Sequence, residues 1–166
     1  RLSLTRLREF SMENTKPHGG DGLCAPHVLE YDYKRSLGPV LGRFFTSLRD
    51  RRIEGVRTRS GRVLVPPSEY DPESGDSTTG EFVEVGPGGT VRSWAWVDAP
   101  RDSHPLAHPF AFALIELDGA DTALMHVVDN VDSAAMATGM RVTPRWSEET
   151  VGRIQDIAAF IPEGQA

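Results

Sequence analysis

The sequence predicts a mainly β protein: a leading helix, a small ribbon and a closed barrel of the OB type. Three observations support this. One amphipathic helical stripe occupies residues 36–50. Short apolar runs punctuated by turn residues follow from Ile53 to the end. Gly (16) and Pro (12) are numerous in 166 residues, which favours turns and short strands over long helices.

The helix is read from "SLGPVLGRFFTSLRD". Leu37, Val40, Leu41, Phe44, Phe45 and Leu48 recur at helical spacing and form one stripe. Ser36 is the expected N-cap, and Pro39 is tolerated because it falls in the first turn. Two readings of the stripe stay open: a core-facing helix, or an aromatic face for a partner, with Leu41, Phe44 and Phe45 as the contacts.

Strands are expected in "RIEGVRT", "RVLV", "EFVEV", "TVRSWAWV", "FAFALIEL", "ALMHVVD", "MRVTPRW" and "IQDIAAFIP". Alternation in "TVRSWAWV" sets Val91, Ser93, Ala95 and Val97 against Arg92, Trp94 and Trp96. Trp94 and Trp96 thus become partner-interface residues, with packing under a helix as the alternative. "FAFALIEL" is apolar almost throughout, as in a strand covered on both faces. "GPGG" at 86–89 is expected to close a hairpin.

Composition limits the function. The net charge is −6, and an acidic chain repels the phosphates on which nucleic-acid affinity rests. One cysteine, Cys24, allows neither an internal disulfide nor a thiolate-rich metal site, and implies a reducing, cytoplasmic setting. No run reaches the ~20 apolar residues of a membrane span, and no leader opens the chain. Residues 1–27 read as a flexible arm or vector-derived segment, with a short helix carrying Leu4, Leu7 and Phe10.

No G-x-S-x-G elbow, phosphate loop or dinucleotide fingerprint occurs. His104 and His108 are four residues apart, but Pro105 and Pro109 forbid the helix that would converge them on a metal. They are assigned to a loop lining a binding mouth, and His126 to packing. No catalytic residue is assigned.

"GRVLVPPSEYDPESG", residues 61–75, has the layout of a small zinc ribbon: turns flanking a short strand and a Pro-Pro pair. With the preceding helix, "HPFAFALIELDG", "TGMRV" and "AFIP", it resembles the domain-of-unknown-function family 35, acyl-CoA-associated OB-fold proteins, over residues 28–162. The resemblance implies a leading helix at 28–50, a rubredoxin-like ribbon at 51–79, an OB barrel at 80–162 and a tail at 163–166. It places the four zinc-ligand positions at Arg57, Ser60, Asp71 and Ser74, all without cysteine. Arginine cannot ligate, and serine and a lone aspartate cannot hold a structural zinc. A polar cluster, with Arg57 paired to Asp71, is expected to replace the metal.

The zinc-free ribbon after "VLEYDYKRSLGPVLGRFF" is similar to one branch of that family. That branch is the C-terminal domain of the actinobacterial steroid enoyl-CoA hydratase large subunit, which joins a lipid-transfer-protein-type, thiolase-fold aldolase. The resemblance implies an accessory, non-catalytic role in a two-plus-two heterotetramer. The complex's substrate is a CoA thioester, cleaved by retro-aldol reaction to a 17-ketosteroid and propionyl-CoA. No cofactor is expected on this chain. Arg52 and Arg59 of the basic run, with His104 and His108, are the expected CoA or substrate-channel residues; the alternative for the run is a solvated surface. Rival functions are service to another thiolase-fold acyl-CoA enzyme, a single-strand nucleic-acid module stacking bases on Trp94 and Trp96, and a hydrolase using His104 or His108.

Overall fold

The computed structural model describes residues 36–165. The expectations for residues 1–27, Cys24 included, and for the first eight residues of the leading helix lie outside the described residues.

Helix α1 spans Gly38–Arg49, with Pro39 in its first turn as expected. The N-cap is Leu37 rather than Ser36, and no side chain caps it. Ser36 instead accepts the Gly38 N–H at 3.3 Å. The helix ends where Arg51 turns left-handed at φ 56. Its stripe is divided. Phe44 and Leu48 are buried, whereas Leu37 and Leu41 are 52% and 36% exposed. The helix meets strand β1 (Ile53–Arg57) and the 3-10 turn at Ile154–Asp156, and the buried residues lie in its C-terminal half. Phe44 therefore belongs to the chain's own core and is not a free partner contact; Phe45 packs against that core, partly covered.

β1 is the centre of a three-stranded antiparallel sheet, between β2 (Val63–Leu64) and β3 (Phe82–Val85). Close crossing requires glycine at position 55. A Cβ there would stand 2.6 Å from Val63 Cγ1 and 2.8 Å from the Leu64 carbonyl oxygen. β3 pairs with β1 from Ile53↔Val85 to Val56↔Phe82, so "EFVEV" completes the ribbon and is not a barrel strand. For the same reason "GPGG" is not a hairpin turn. It carries the chain from the ribbon sheet into the barrel, pinned by Gly86 N–H to the Asp118 carbonyl and Asp118 N–H to the Gly88 carbonyl.

The barrel contains β4 (Gly89–Val97), β5 (Phe110–Leu117), β6 (Ala123–Val128), β7 (Arg141–Trp146) and β8 (Ile157–Pro162). It closes in the order β4-β5-β6-β8-β7. Val91, Ile115, Val128, Val142 and Phe160 fill its interior at full burial. Along β5, Ala111, Ala113, Ile115 and Leu117 point in, while Leu114 is 43% exposed. Cover on both faces is thus confined to the start of this strand, where Phe110 is enclosed.

β4 departs from strict alternation. A bulge between Val91 and Ser93 adds a residue, and the pairing resumes as Trp94↔Ala113 and Trp96↔Ala111. An extra residue shifts every later side chain to the other face. Trp94 and Trp96 consequently join Val91 on the core side, and Ser93 and Ala95 are exposed.

Candidate functional site

The four positions that the resemblance assigns to zinc ligands each find a polar partner, and Asp71 meets a different arginine from the one expected. Asp71, buried at 4% exposure, is 3.6 Å from Arg62 Nη1, which also lies 2.7 Å from Glu73. Asp71 Oδ1 accepts the Glu73 N–H at 3.0 Å. Arg57 does not meet Asp71: it donates to the Gly61 carbonyl and pairs with Glu81 at 3.2 Å. The reason is strand geometry. Arg57 ends β1 beside Glu81, while Arg62 enters from the turn that faces Asp71. Ser60 shares a 2.8 Å hydrogen bond with Thr58, whose hydroxyl also accepts the Arg62 N–H. Ser74 accepts the Asp76 N–H at 3.2 Å. Among the described residues no group of three or more His, Cys, Asp or Glu comes together to hold a metal.

The basic run disperses. Arg52 lies 3.8 Å from Glu84, Arg59 donates weakly to the Ser77 carbonyl at 3.4 Å, and Arg51 reaches the Ser147 and Glu148 carbonyls. The two histidines of the 98–109 loop also part. His104 packs edge-on to Phe110 and Phe112, and its Nδ1 accepts the Arg101 N–H. His108 Nε2 sits 2.7 Å from Asp129, which Arg145 grips at 2.6 Å from the other side. Burial pushes the Asp129 carboxyl up, but His108, Arg145 and the Asn130 N–H outweigh it and hold it below the ordinary carboxylate range.

A cleft of about 560 Å³ opens along the β6–β8 seam. Its origin is topological. β6 and β8 run parallel and pair only at Val128↔Phe160, then diverge. Leu106, Phe112, Met125, Val127, Ile154 and Ile157 provide apolar walls, and Arg145 stands among the lining groups. One wall is the 3-10 turn. Asp156, fully buried, accepts N–H groups from Val151, Gly152 and Arg153 and fixes it. Burial would raise the Asp156 carboxyl, but these donors lower it below its usual range. His126 also lines the cleft, its ring 5.5 Å from Phe160 and its Nδ1 buried without a partner. Burial lowers its pKa, opposed by backbone groups of Ile154 and Val127.

Residues 82–147 match the family model described as the ChsH2 C-terminal OB-fold domain. That stretch is similar to the ChsH2 C-terminal OB-fold domain. The match starts in β3 and stops after β7, so β8 and most of the ribbon lie outside it. Two solved structures share the architecture. One, the Ltp2-ChsH2(DUF35) aldolase, is 23% identical at a TM-score of 0.56, covering 78% of this chain and 98% of that chain. The other is a DUF35-family protein of unknown function from Sulfolobus solfataricus. It is 23% identical at a TM-score of 0.52, covering 65% of this chain and 77% of that one. No curated protein matches the sequence.

On this barrel the exposed apolar residues are not the tryptophans. Leu114 and Met125, 43% and 65% exposed, are directly paired on the outer face of β5–β6, beside the cleft. Leu37 and Leu41 form a second open patch on α1. Arg62, Asp129, Arg145 and His126, which organise the ribbon and the cleft, were not singled out by sequence for those roles. Alternation marks Leu114 and Met125 as outward apolar positions only once the strand pairing is known.

Proposed function

We propose that this chain is the accessory OB-fold component of a thiolase-like aldolase acting on a CoA thioester. The match of the barrel to the ChsH2 C-terminal domain carries the reading. The likeness of the fold to the Ltp2-ChsH2(DUF35) aldolase over nearly the whole of that chain supports it. In the finer form of the proposal, the complex cleaves a 17-hydroxy steroid bearing a three-carbon CoA thioester to a 17-ketosteroid and propionyl-CoA. The partner supplies the base and the enolate-stabilising donors that a retro-aldol step requires. This chain supplies shape and stability.

The geometry agrees with a supporting role. Asp129, His108 and Arg145 are matched to one another, as are Arg62, Asp71 and Glu73. The open apolar positions Leu37, Leu41, Leu114 and Met125 suit a protein contact. The inward turn of Trp94 and Trp96 removes the stacking platform a single-strand nucleic-acid reading needs. Among the described residues no helix is long and apolar enough to cross a membrane.

Co-expression with a thiolase-like subunit tests the proposal. The expected result is a co-purifying complex that releases propionyl-CoA from the steroid thioester, with each chain inactive alone. Failure to associate overturns the accessory reading. Association with turnover of a different acyl-CoA overturns only the steroid assignment.

A further inference from the structure

We infer that residues 98–109 form a strap over the outer face of the barrel, latched by His108 on Asp129, which lifts away as a unit while the strands stay folded. The inference goes beyond the partner reading and does not depend on it.

The connection between β4 and β5 comes first. Antiparallel neighbours are ordinarily joined by about two to five residues, and a much longer segment without structure of its own is most often a lid or a binding loop. Here the chain leaves β4 at Val97, enters β5 at Phe110, and forms neither helix nor strand between them. It does not project into solvent. Alternation turns Phe110 and Phe112 outward, opposite to Ala111 and Ala113, yet Phe110 is fully buried. With Val127 and Ala159 it makes a second apolar cluster, separate from the barrel interior, and Leu106 packs on that cluster from the 98–109 segment. His104 sits edge-on to both phenylalanine rings.

Attachment comes second. The main-chain hydrogen bonds of the segment are local: the His104 N–H donates to the Arg101 carbonyl, and the Arg101 N–H donates to His104 Nδ1. Within the segment only Pro100, His104 and Leu106 are even partly covered. A region with few covered side chains and no main-chain ladder opens at lower free energy than the whole molecule.

The latch comes third. His108 Nε2 lies 2.7 Å from Asp129 Oδ1, and the histidine side chain is 57% exposed against 7% for the aspartate. Stranding a buried carboxylate is costly. Asp129 avoids this, because it keeps Arg145 at 2.6 Å and the Asn130 N–H at 2.8 Å when His108 departs. The barrel thus holds its half of the latch in place, and the strap can leave and return. The β6–β8 cleft is what such motion changes. Asp156 fixes the 3-10 wall, whereas the wall made by Ser103, Pro105 and Leu106 belongs to the strap. Lifting it joins the cleft to the Phe110–Ala159 cluster.

Single thiols read the opening in the full chain, with Cys24→Ser removing the native one. Ala159→Cys places a thiol beneath the strap and Val142→Cys one in the barrel interior; both positions are 0% exposed. Labelling by N-ethylmaleimide is followed by mass spectrometry below the global unfolding transition. Ala159→Cys is expected to react at least tenfold faster than Val142→Cys, at a rate that denaturant barely changes. Adding His108→Ala should raise the Ala159→Cys rate several-fold and leave the Val142→Cys rate unchanged. Thermal melts confirm folding, and Val127→Cys takes over if Ala159→Cys unfolds. Equal rates with equal denaturant dependence overturn the strap, since the segment then opens only with the barrel. An unchanged rate on adding His108→Ala also overturns the proposal, because His108 then latches nothing.

Discussion

The ribbon and the barrel solve the same problem with opposite means. The barrel is held by enclosed apolar side chains, with Phe160, Ile115, Val128 and Val142 at its centre. The ribbon strands share that apolar core through Ile53, Val63, Val65 and Val85, but the outer loop adds polar contacts: buried Asp71 with Arg62, and buried Thr58 with Ser60 at the surface. An apolar core is non-directional and scales with area, so it tolerates sequence change. A polar cluster depends on each partner's geometry, and removing one leaves another unmatched. A ribbon without thiolates can therefore persist, provided that its replacement contacts stay complete.

The comparison breaks most visibly in the barrel. Phe160→Ala, at the single β6–β8 pairing, should cost about 3–5 kcal/mol and unfold barrel and ribbon together. Chemical denaturation followed by tryptophan fluorescence, which reads the barrel through Trp94, Trp96 and Trp146, together with hydrogen exchange at the ribbon amides measures this; ribbon loss with an intact barrel contradicts it. Next comes the ribbon. Asp71→Ala should cost about 1–3 kcal/mol and act locally. Hydrogen exchange should accelerate at residues 58–62 and 71–76 while barrel amides keep their protection. Equal loss throughout would show that the two regions are one cooperative unit.

The smallest effect sharpens the contrast by pH. His126 has a folded-state pKa below its unfolded value of about 6.5. The unfolded chain then binds the proton more readily, so stability is complete above that value and falls as pH drops through the window beneath it. His126→Phe should remove this slope between about pH 6.5 and the lowered folded pKa. Denaturation midpoints across that range decide it, and an unchanged slope would assign the effect elsewhere.

Much of the fold was legible in the sequence. The helical stripe from Leu37 to Leu48 and the runs from Val91 to Ile161 mark their elements because burial imposes a period on them. The facing of Trp94 and Trp96 was not legible, since one inserted residue at the bulge reverses the alternation without changing composition. "GPGG" misleads for a related reason: turn residues announce a change of direction, not which strand is met next. At the ribbon, the resemblance suggests Arg57 as the partner of Asp71, but the choice of Arg62 over Arg57 depends on which turn faces Asp71. The cleft was beyond sequence, because it arises from two parallel strands separating.

The outer edge of β2 is not free. Asp121 and Thr122, on the β5–β6 turn, accept its Val63 and Val65 N–H groups at 2.8 and 2.7 Å, and Thr122 returns a bond to the Val65 carbonyl. β3, on the other side of β1, continues through Gly86–Gly89 into the first barrel strand. The exposed stretch 72–77 lies between these two anchorages. A protease that nicks it would generate two fragments that still migrate as one particle, coming apart only in denaturant.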